Sequence, residues 1–290
     1  MLYLEYTGAF PFIETGGINE RQLTDLYLRH LELGKGRGYF PVFFERESYL
    51  PDSYAYSYGI IDSVSKLFYR NERQYSCPKL PGTSPNACEY GSCSAAAPVQ
   101  YYPEDIKDHY AKLRQAILER ADSHDFHYWK KRIFEIYFLD GDTSPDEVKE
   151  HLDFLKLPPD SFYESLSATD SWKFDRGRYI QDWEDFALAL LPIKNPYEAF
   201  AWFPIGGCNS KPMPEYHAAF AKHLCEEYGA LPMTIHREYV EYYLPQPLYD
   251  IKAVKKASQE MLMMDFDYYE EIGPAVSLIY GKHIWPMWWD

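Results

Sequence analysis

Three cysteines lie close together in the sequence and are the first residues whose chemistry we consider. Cys77, Cys88 and Cys93 fall within residues 71–102, where Pro, Ser, Gly and Asn cluster and predict a long loop. Zinc sites usually combine two short Cys-x2–4-Cys knuckles, and Cys88 with Cys93 could supply one, with His109 as a conceivable further ligand. The alternatives are unliganded thiols or an adventitious disulfide. We expect no structural metal and no cofactor.

Histidines occur in two further pairs. His124 and His127 are three residues apart and share a helical face, which binds a metal when other helices add carboxylates. No Glu-x-x-His partner accompanies them, so a solvated helix start is the favoured interpretation. His217 and His223 are six residues apart, which puts them on different faces of a straight helix.

His236 and Glu238 could act together as an acid–base pair. One residue separates them in a predicted strand, where alternate side chains share a face. With Gly206 and Asn209 they define the site of one possible function, a hydrolase-like enzyme. The sequence contains no phosphate-binding loop and no Gly-x-Ser-x-Gly elbow. We therefore assign no catalytic residue, and the sequence does not identify an enzyme.

Hydrophobic spacing and capping residues predict both helices and strands. Predicted helices begin near residues 19, 54, 103, 123, 144, 179, 214, 253 and 268, the one near 179 running to 190. Predicted strands cover residues 2–6, 39–44, 200–203, 232–235, 239–244 and 284–289. The middle of the chain is therefore mostly helical, and strands concentrate near its ends.

The last predicted strand is rich in tryptophan. In a strand, Trp285, Met287 and Trp289 share one face, and Pro286 and Trp288 share the other. One face is expected to be core, and the other would place Trp288 on a surface or groove. Burial of both faces in a central strand is the interpretation that we favour.

Short motifs in the C-terminal part of the chain resemble a bacterial domain family of unknown function that ends in W-x-F-W-W-D. The matching positions are Trp285-Pro286-Met287-Trp288-Trp289-Asp290, Gly206-Gly207-Cys208-Asn209-Ser210-Lys211-Pro212, Tyr228-Gly229-Ala230, Glu241 with Pro245 or Pro247, and Ser258-Gln259-Glu260. The terminal motif is the most specific of them, and the other motifs are short. The resemblance implies no known reaction, but related genes occur in bacterial toxin-immunity neighbourhoods.

The resemblance extends to residues 20–60, where a helix is followed by a Pro-Val strand, and it covers about half of the chain. Two positions depart from the family pattern. The tryptophan that often follows the glycines is Cys208 here, and the Glu-Cys before the proline is Ser210-Lys211. Any activity that depends on those groups is in doubt.

Composition narrows the class of partner. The chain has 29 Lys and Arg against 44 Asp and Glu, a net charge of -15, which argues against nucleic acid and anionic membranes. Acidity permits a basic protein partner, and 28 tyrosines suit half-buried surfaces and interfaces. Since no signal peptide or membrane-spanning run is visible and cysteines are sparse, we expect a cytoplasmic protein.

We expect an α+β fold, with a small mixed sheet built from the two chain ends and flanked by helices. Residues 1–60 and 195–290 would form one discontinuous domain, because neither part alone has enough elements to cover a sheet. Residues 61–194 would form a mainly helical insertion that includes the Cys/Pro/Ser-rich loop at 71–102.

The leading expectation is an immunity protein that binds and neutralises a basic bacterial toxin. The reasons are the acidity of the chain, its aromatic richness, the absence of a catalytic signature in the sequence and the occurrence of related genes in toxin-immunity neighbourhoods. The predicted partner-binding residues are Asp182, Trp183, Glu184, Asp185 and Trp288. The alternatives are the hydrolase-like enzyme described above and a structural or scaffold module.

Overall fold

The computed structural model describes residues 10–45, 103–138, 156–164, 166, 186–205, 214–236, 239–265 and 272–289. The strands in these ranges are β1 (Phe12–Glu14), β2 (Phe40–Glu45), β3 (Phe186–Leu191), β4 (Leu231–Ile235), β5 (Tyr239–Tyr243) and β6 (Ile284–Trp288). The α-helices are α1 (Glu20–Arg37), α2 (Pro103–Asp122), α3 (Phe126–Phe138), α4 (Asp160–Glu164), α5 (Ala199–Trp202), α6 (Pro214–Tyr228), α7 (Ile251–Met264) and α8 (Ile272–Ile279). The predicted strand at 2–6 and the predicted helices near 54 and 144 lie outside the described residues.

The six strands form one mixed sheet in the order β1-β3-β2-β4-β5-β6. Neighbouring strands are antiparallel except β2 and β4, which run parallel with Phe43 opposite Thr234. This pairing joins the N-terminal and C-terminal parts of the chain in the middle of the sheet. The prediction of an α+β fold whose sheet is built from both chain ends is confirmed.

Helices cover both faces of the sheet. Helix α1 packs on one face, where Leu23 and Tyr27 meet Phe43 in a small core; we call this side the α1 face. The other described helices contribute to a larger core on the opposite side, which we call the large-core face. Side chains of β2 alternate between the two cores, so Val42 and Phe44 point into the large core and Phe43 into the small one.

Local sequence explains the bounds of α1. The side chain of Asn19 accepts a hydrogen bond from the amide N–H of Gln22, and the side-chain oxygen of Gln22 accepts one from the backbone N–H of Asn19, which satisfies amides at the helix start. The helix continues through Gly34 and Gly36. It ends at Gly38, whose φ of 74° is a left-handed conformation that glycine adopts without steric cost.

Two apolar segments adopt the opposite structure from the one predicted. The predicted helix across 179–190 is wrong for Phe186–Leu191, which is strand β3 between β1 and β2. The predicted strand at 200–203 is wrong because Ala199–Trp202 is helix α5. Short apolar runs fit a buried strand and a buried helix equally well, so tertiary pairing decides between them. The sheet therefore includes a strand from the stretch assigned to the helical insertion.

The prolines of the sheet lie where the hydrogen-bond ladder is incomplete. The sequence interpretation favoured a central position for the last strand, but β6 lies at the edge of the sheet. Pro286 suits an edge strand because it has no N–H to donate. Pro41 lies in the interior strand β2, but the pairing of β2 with β4 begins only at Phe43.

Candidate functional site

Polar side chains gather at the end of the sheet where the parallel strands β2 and β4 both finish. Glu45 is the last residue of β2, and His236 follows β4 directly. Nε2 of His236 lies 2.8 Å from a carboxylate oxygen of Glu45, and the two side chains are 10% and 22% exposed, respectively. The ring of Phe186 stacks on the imidazole with 6.1 Å between centroids. An imidazole oriented by a carboxylate can act as a general base, so this pair is the candidate site for chemistry.

A second carboxylate is buried near this pair on the α1 face. Glu241 of β5 is fully buried and accepts hydrogen bonds from the hydroxyls of Thr234 and Tyr239, each at 2.6 Å. Thr234 is two residues before His236, a spacing of roughly 7 Å on one side of an extended chain. A buried carboxylate is costly unless its oxygens are hydrogen-bonded, and each oxygen of Glu241 has a hydroxyl donor. The network ties β4 to β5.

Another polar network joins α6 to α7. Oε2 of Glu260 lies 2.9 Å from Nε2 of His223 and accepts a hydrogen bond of 2.7 Å from the hydroxyl of Tyr228. The ring of Phe126 from α3 stacks on His223 with 3.7 Å between centroids. Burial raises the pKa of Glu260, but the hydrogen bonds from His223 and Tyr228 outweigh it and lower that pKa below its ordinary value. Glu260 is therefore an anion at neutral pH.

The tyrosine of this network stays protonated. Burial, and then the hydrogen bond to the anionic Glu260, raise the pKa of Tyr228 well above its ordinary value. Tyr228 and Glu260 belong to different motifs of the family resemblance, and the fold brings them into direct contact. The contact explains both motifs as parts of one helix-to-helix connection.

The two terminal tryptophans are held by the end of helix α7. Trp289 is 2% exposed, and its Nε1–H donates to the carbonyl oxygen of Met264 at 2.9 Å. The ring of His217, in the first turns of α6, meets the Trp289 ring edge-on at 4.8 Å. The backbone N–H of Trp288 donates to a carboxylate oxygen of Asp265 at 2.6 Å. These contacts give the terminal motif a structural role.

The remaining side chains of β6 alternate as the sequence predicted. Trp285 and Met287 are buried in the large core, whereas Trp288 is half-buried and packs against the small core under α1. The ring of Trp285 also contacts the ring of Tyr228, with 5.6 Å between centroids. Gly229 follows α6 directly, and its φ of 70° is the left-handed conformation in which glycine commonly ends a helix.

Several residues that the sequence singled out lie outside the described residues: Gly206, Gly207, Asn209, Glu238, Asp290, Asp182, Trp183, Glu184, Asp185, Cys77, Cys88 and Cys93. Of the four residues named for the hydrolase-like alternative, the structure describes His236. A carboxylate oxygen of Glu45 lies 2.8 Å from its Nε2. The pairing of His236 with Glu238 stays a prediction.

Sequence reasoning did not single out Glu45, Thr234 or Tyr239. The sequence contained a signal for each of them, because each carries a polar group inside or next to a strongly apolar strand. A buried polar group without a hydrogen-bond partner would be costly there. Glu45 closes the run Phe-Pro-Val-Phe-Phe of β2, and Thr234 interrupts the apolar run of β4. What the sequence could not supply is the pairing of β2 with β4, which puts Glu45 beside His236.

The other two histidine pairs differ in outcome: His124 precedes α3 and so does not share a helical face with His127, whereas His217 and His223 lie apart as their spacing suggested. His124 and His127 are exposed around the start of α3, and His217 and His223 contact different residues, Trp289 and Glu260. In the ranges that the structure covers, no three His, Cys, Asp or Glu side chains are grouped so as to hold a metal ion. None of the described helices combines the length and apolar character that a membrane crossing requires.

Comparison with known proteins finds a family match in the C-terminal part of the chain. Neither a curated protein nor a solved structure matches the chain. A family model matches from Ala187, the second residue of β3, and the matched range includes Glu241, Glu260 and Trp289. The family model that matches residues 187–290 is described as "Domain of unknown function (DUF4253)".

Proposed function

We propose that this protein is an immunity-type protein that binds and neutralises a basic protein toxin in the cytoplasm. The distribution of charge carries the proposal. The described residues contain 22 acidic and 18 basic side chains, whereas the rest of the chain contains 22 acidic and only 11 basic ones. Most of the surplus therefore belongs to segments outside the described residues, such as residues 139–155 with six acidic residues and one basic.

The buried carboxylates favour binding over catalysis. Glu215, Glu241, Glu260 and Asp265 are all less than 5% exposed. Glu241 accepts a hydrogen bond from Thr234, Glu260 is bonded to His223, and Asp265 accepts one from the backbone of Trp288. The fourth carboxylate, Glu215, lies 3.8 Å from Arg120 of α2. The hydrogen-bonded carboxylates connect elements within the fold, which leaves the surface charge as the feature that a partner would recognise.

The proposal predicts a characteristic salt dependence. Acidic side chains should accelerate the encounter with a basic toxin, and buried aromatic rings should set the lifetime of the complex. The association rate should fall as salt rises toward 0.15 M, because the screening length shortens to about 8 Å. The dissociation rate should change far less.

Co-expression with the toxin encoded beside this gene tests the proposal directly. Cells that make both proteins should survive, whereas cells that make the toxin alone should die. A triple variant with Asp182→Asn, Glu184→Gln and Asp185→Asn should slow association. The matched control neutralises Asp25, Glu32 and Glu119, which are exposed on α1 and α2. Equal killing with and without this protein would end the proposal.

A second candidate function, a hydrolase-like enzyme, is favoured by one observation, the 2.8 Å contact between His236 and Glu45. In such an enzyme His236 would be the general base and Glu45 the residue that orients it. Hydrolysis of chromogenic esters should then fall in His236→Gln and, to a lesser extent, in Glu45→Gln. His30→Gln is the control, because His30 lies 3.0 Å from the Tyr39 hydroxyl in a different part of the fold. Identical background rates in all variants would exclude this esterase activity.

A further inference from the structure

The last strand of the sheet has the composition of a strand that pairs readily with other chains. Strand β6 consists of Ile, Trp, Pro, Met and Trp and has no charged side chain. In the described sheet it pairs with β5 on one side and forms the edge on the other. An apolar edge strand presents backbone groups on which a second chain can add a further strand. The groups that β6 directs outward therefore decide whether this edge is open.

The register with β5 identifies the backbone groups of β6 that face outward. In an antiparallel pair, residues that exchange hydrogen bonds with the partner strand alternate with residues whose N–H and C=O point away from it. The hairpin between β4 and β5 is closed by hydrogen bonds in both directions between His236 and Tyr239. Tyr239 and every second residue after it in β5 thus face β4. Their partners in β6 face away from the sheet; these are Trp288, Pro286 and Ile284.

Two of these three outward positions offer no amide hydrogen to an incoming strand. Pro286 has no N–H. The N–H of Trp288 donates to a carboxylate oxygen of Asp265 at 2.6 Å. Neither device affects the amide of Ile284, where the strand starts. An added strand would meet at most one donor, where a complete ladder along β6 offers three.

The end of helix α7 holds Asp265 in place. Asp265 is fully buried, and its own backbone N–H donates to the carbonyl oxygen of Met261. The preceding residue, Met264, accepts the indole N–H of Trp289 at 2.9 Å. Consecutive residues at the end of α7 thus bind consecutive residues at the end of β6. Since a carboxylate is a stronger acceptor than a neutral carbonyl, an incoming strand would not easily displace Asp265 from the Trp288 amide.

We infer that Asp265 and Pro286 close the β6 edge and prevent a second copy of this chain from extending the sheet through β6. This inference does not depend on the proposed function. The pairing that the two residues prevent has a definite geometry, with a two-fold axis at residue 286. Residue 286 of one copy would lie opposite residue 286 of the other, and Ile284 opposite Trp288. The other edge strand, β1, has three residues and offers few groups for pairing.

Opening the edge by mutation tests the inference. The double variant Asp265→Ala with Pro286→Val frees the Trp288 amide and adds an amide at residue 286. In analytical ultracentrifugation its sedimenting mass should double relative to the wild type at the same protein concentration. Pro286→Val alone should associate more weakly, because the Trp288 amide stays bonded. Asp265→Asn keeps an oxygen acceptor for that amide and should sediment as the wild type does.

Two further variants separate strand pairing from loss of stability. Thr234→Val removes a hydrogen bond between β4 and β5 but leaves the β6 edge intact, so it should sediment as the wild type does. In Asp265→Ala with Pro286→Cys, the two new thiols would face each other across the two-fold axis. Their Cα atoms would be about 5.5 Å apart, a distance that a disulfide spans. Mild oxidation should cross-link this variant, but not the double variant with valine, which retains the native cysteines.

The outcomes are distinct. If the double variant with valine folds, as circular dichroism would show, and sediments as the wild type does, Asp265 and Pro286 are not what closes the edge. A doubled mass without cross-linking through residue 286 would place the association elsewhere and overturn the inference, as would a doubled mass in Thr234→Val. If the double variant does not fold, Pro286→Val decides the question. Association of that variant that rises with protein concentration supports the inference, and its absence overturns it.

Discussion

Replacing Trp289 with alanine should destabilise the protein by about 3–5 kcal/mol, the usual cost of truncating a buried tryptophan. The indole is 2% exposed and lies between the end of α7 and the first turns of α6. The change also removes the donor to the Met264 carbonyl, which contributes about 1 kcal/mol of that total. Since proteins are stable by only about 5–15 kcal/mol, the loss is a large fraction of the total.

Two variants divide this cost between packing and the hydrogen bond. Trp289→Phe keeps an aromatic ring near His217 but loses the N–H, so it should cost clearly less than alanine. Trp288→Ala removes a half-buried ring and keeps the backbone bond to Asp265, so about 1–2 kcal/mol is expected. Urea unfolding gives the free energies, and amide exchange should show lost protection at the end of α7 in Trp289→Ala.

The result that refutes this reasoning is specific. If Trp289→Ala unfolds at the wild-type urea concentration with an unchanged slope, the indole does not stabilise the domain as its burial indicates. If that variant also fails to bind the toxin, the ring belongs to an interface and not to the core. If Trp288→Ala loses as much stability as Trp289→Ala, the packing on the α1 face depends on the terminal motif as strongly as the large core does.

Three further predictions concern single residues of the helices and the sheet. Gly229→Ala should lower the free energy of unfolding by about 1–2 kcal/mol, because the φ of Gly229 is 70°. Gly36→Ala should raise it by up to about 1 kcal/mol, because a Cβ at this position of α1 meets open space. The two urea midpoints should therefore move in opposite directions. Because the pKa of Glu260 is lowered, its stabilising contribution is complete above its ordinary value of 4.5 and is lost as pH falls through the lowered pKa. The melting temperature of Glu260→Gln should therefore depend less steeply on pH below about 4.5 than that of the wild type, and equal slopes would contradict the assignment. Thr234→Val removes one of the two hydroxyl donors to the buried Glu241 and should cost about 1–3 kcal/mol in urea unfolding; an unchanged midpoint would show that this bond is dispensable.

The misassigned elements show where sequence reasoning fails. Phe186–Leu191 is apolar at every position, so it fits a buried helix face as well as a strand covered on both sides. Pairing with β1 on one side and β2 on the other makes it a strand, and both partners come from the N-terminal part of the chain. The four residues of α5 are too few to establish a period in either structure.

The sequence by itself determined the features that depend on near neighbours in the chain. The cap at Asn19, the glycine stop at Gly229 and the alternation of Trp285 with Trp288 all follow from backbone geometry within a few residues. Tertiary structure alone decided the contacts between polar groups distant in the chain. His236 meets Glu45 because β2 and β4 pair in parallel, and periodicity within one segment contains no information about which other segment will lie beside it.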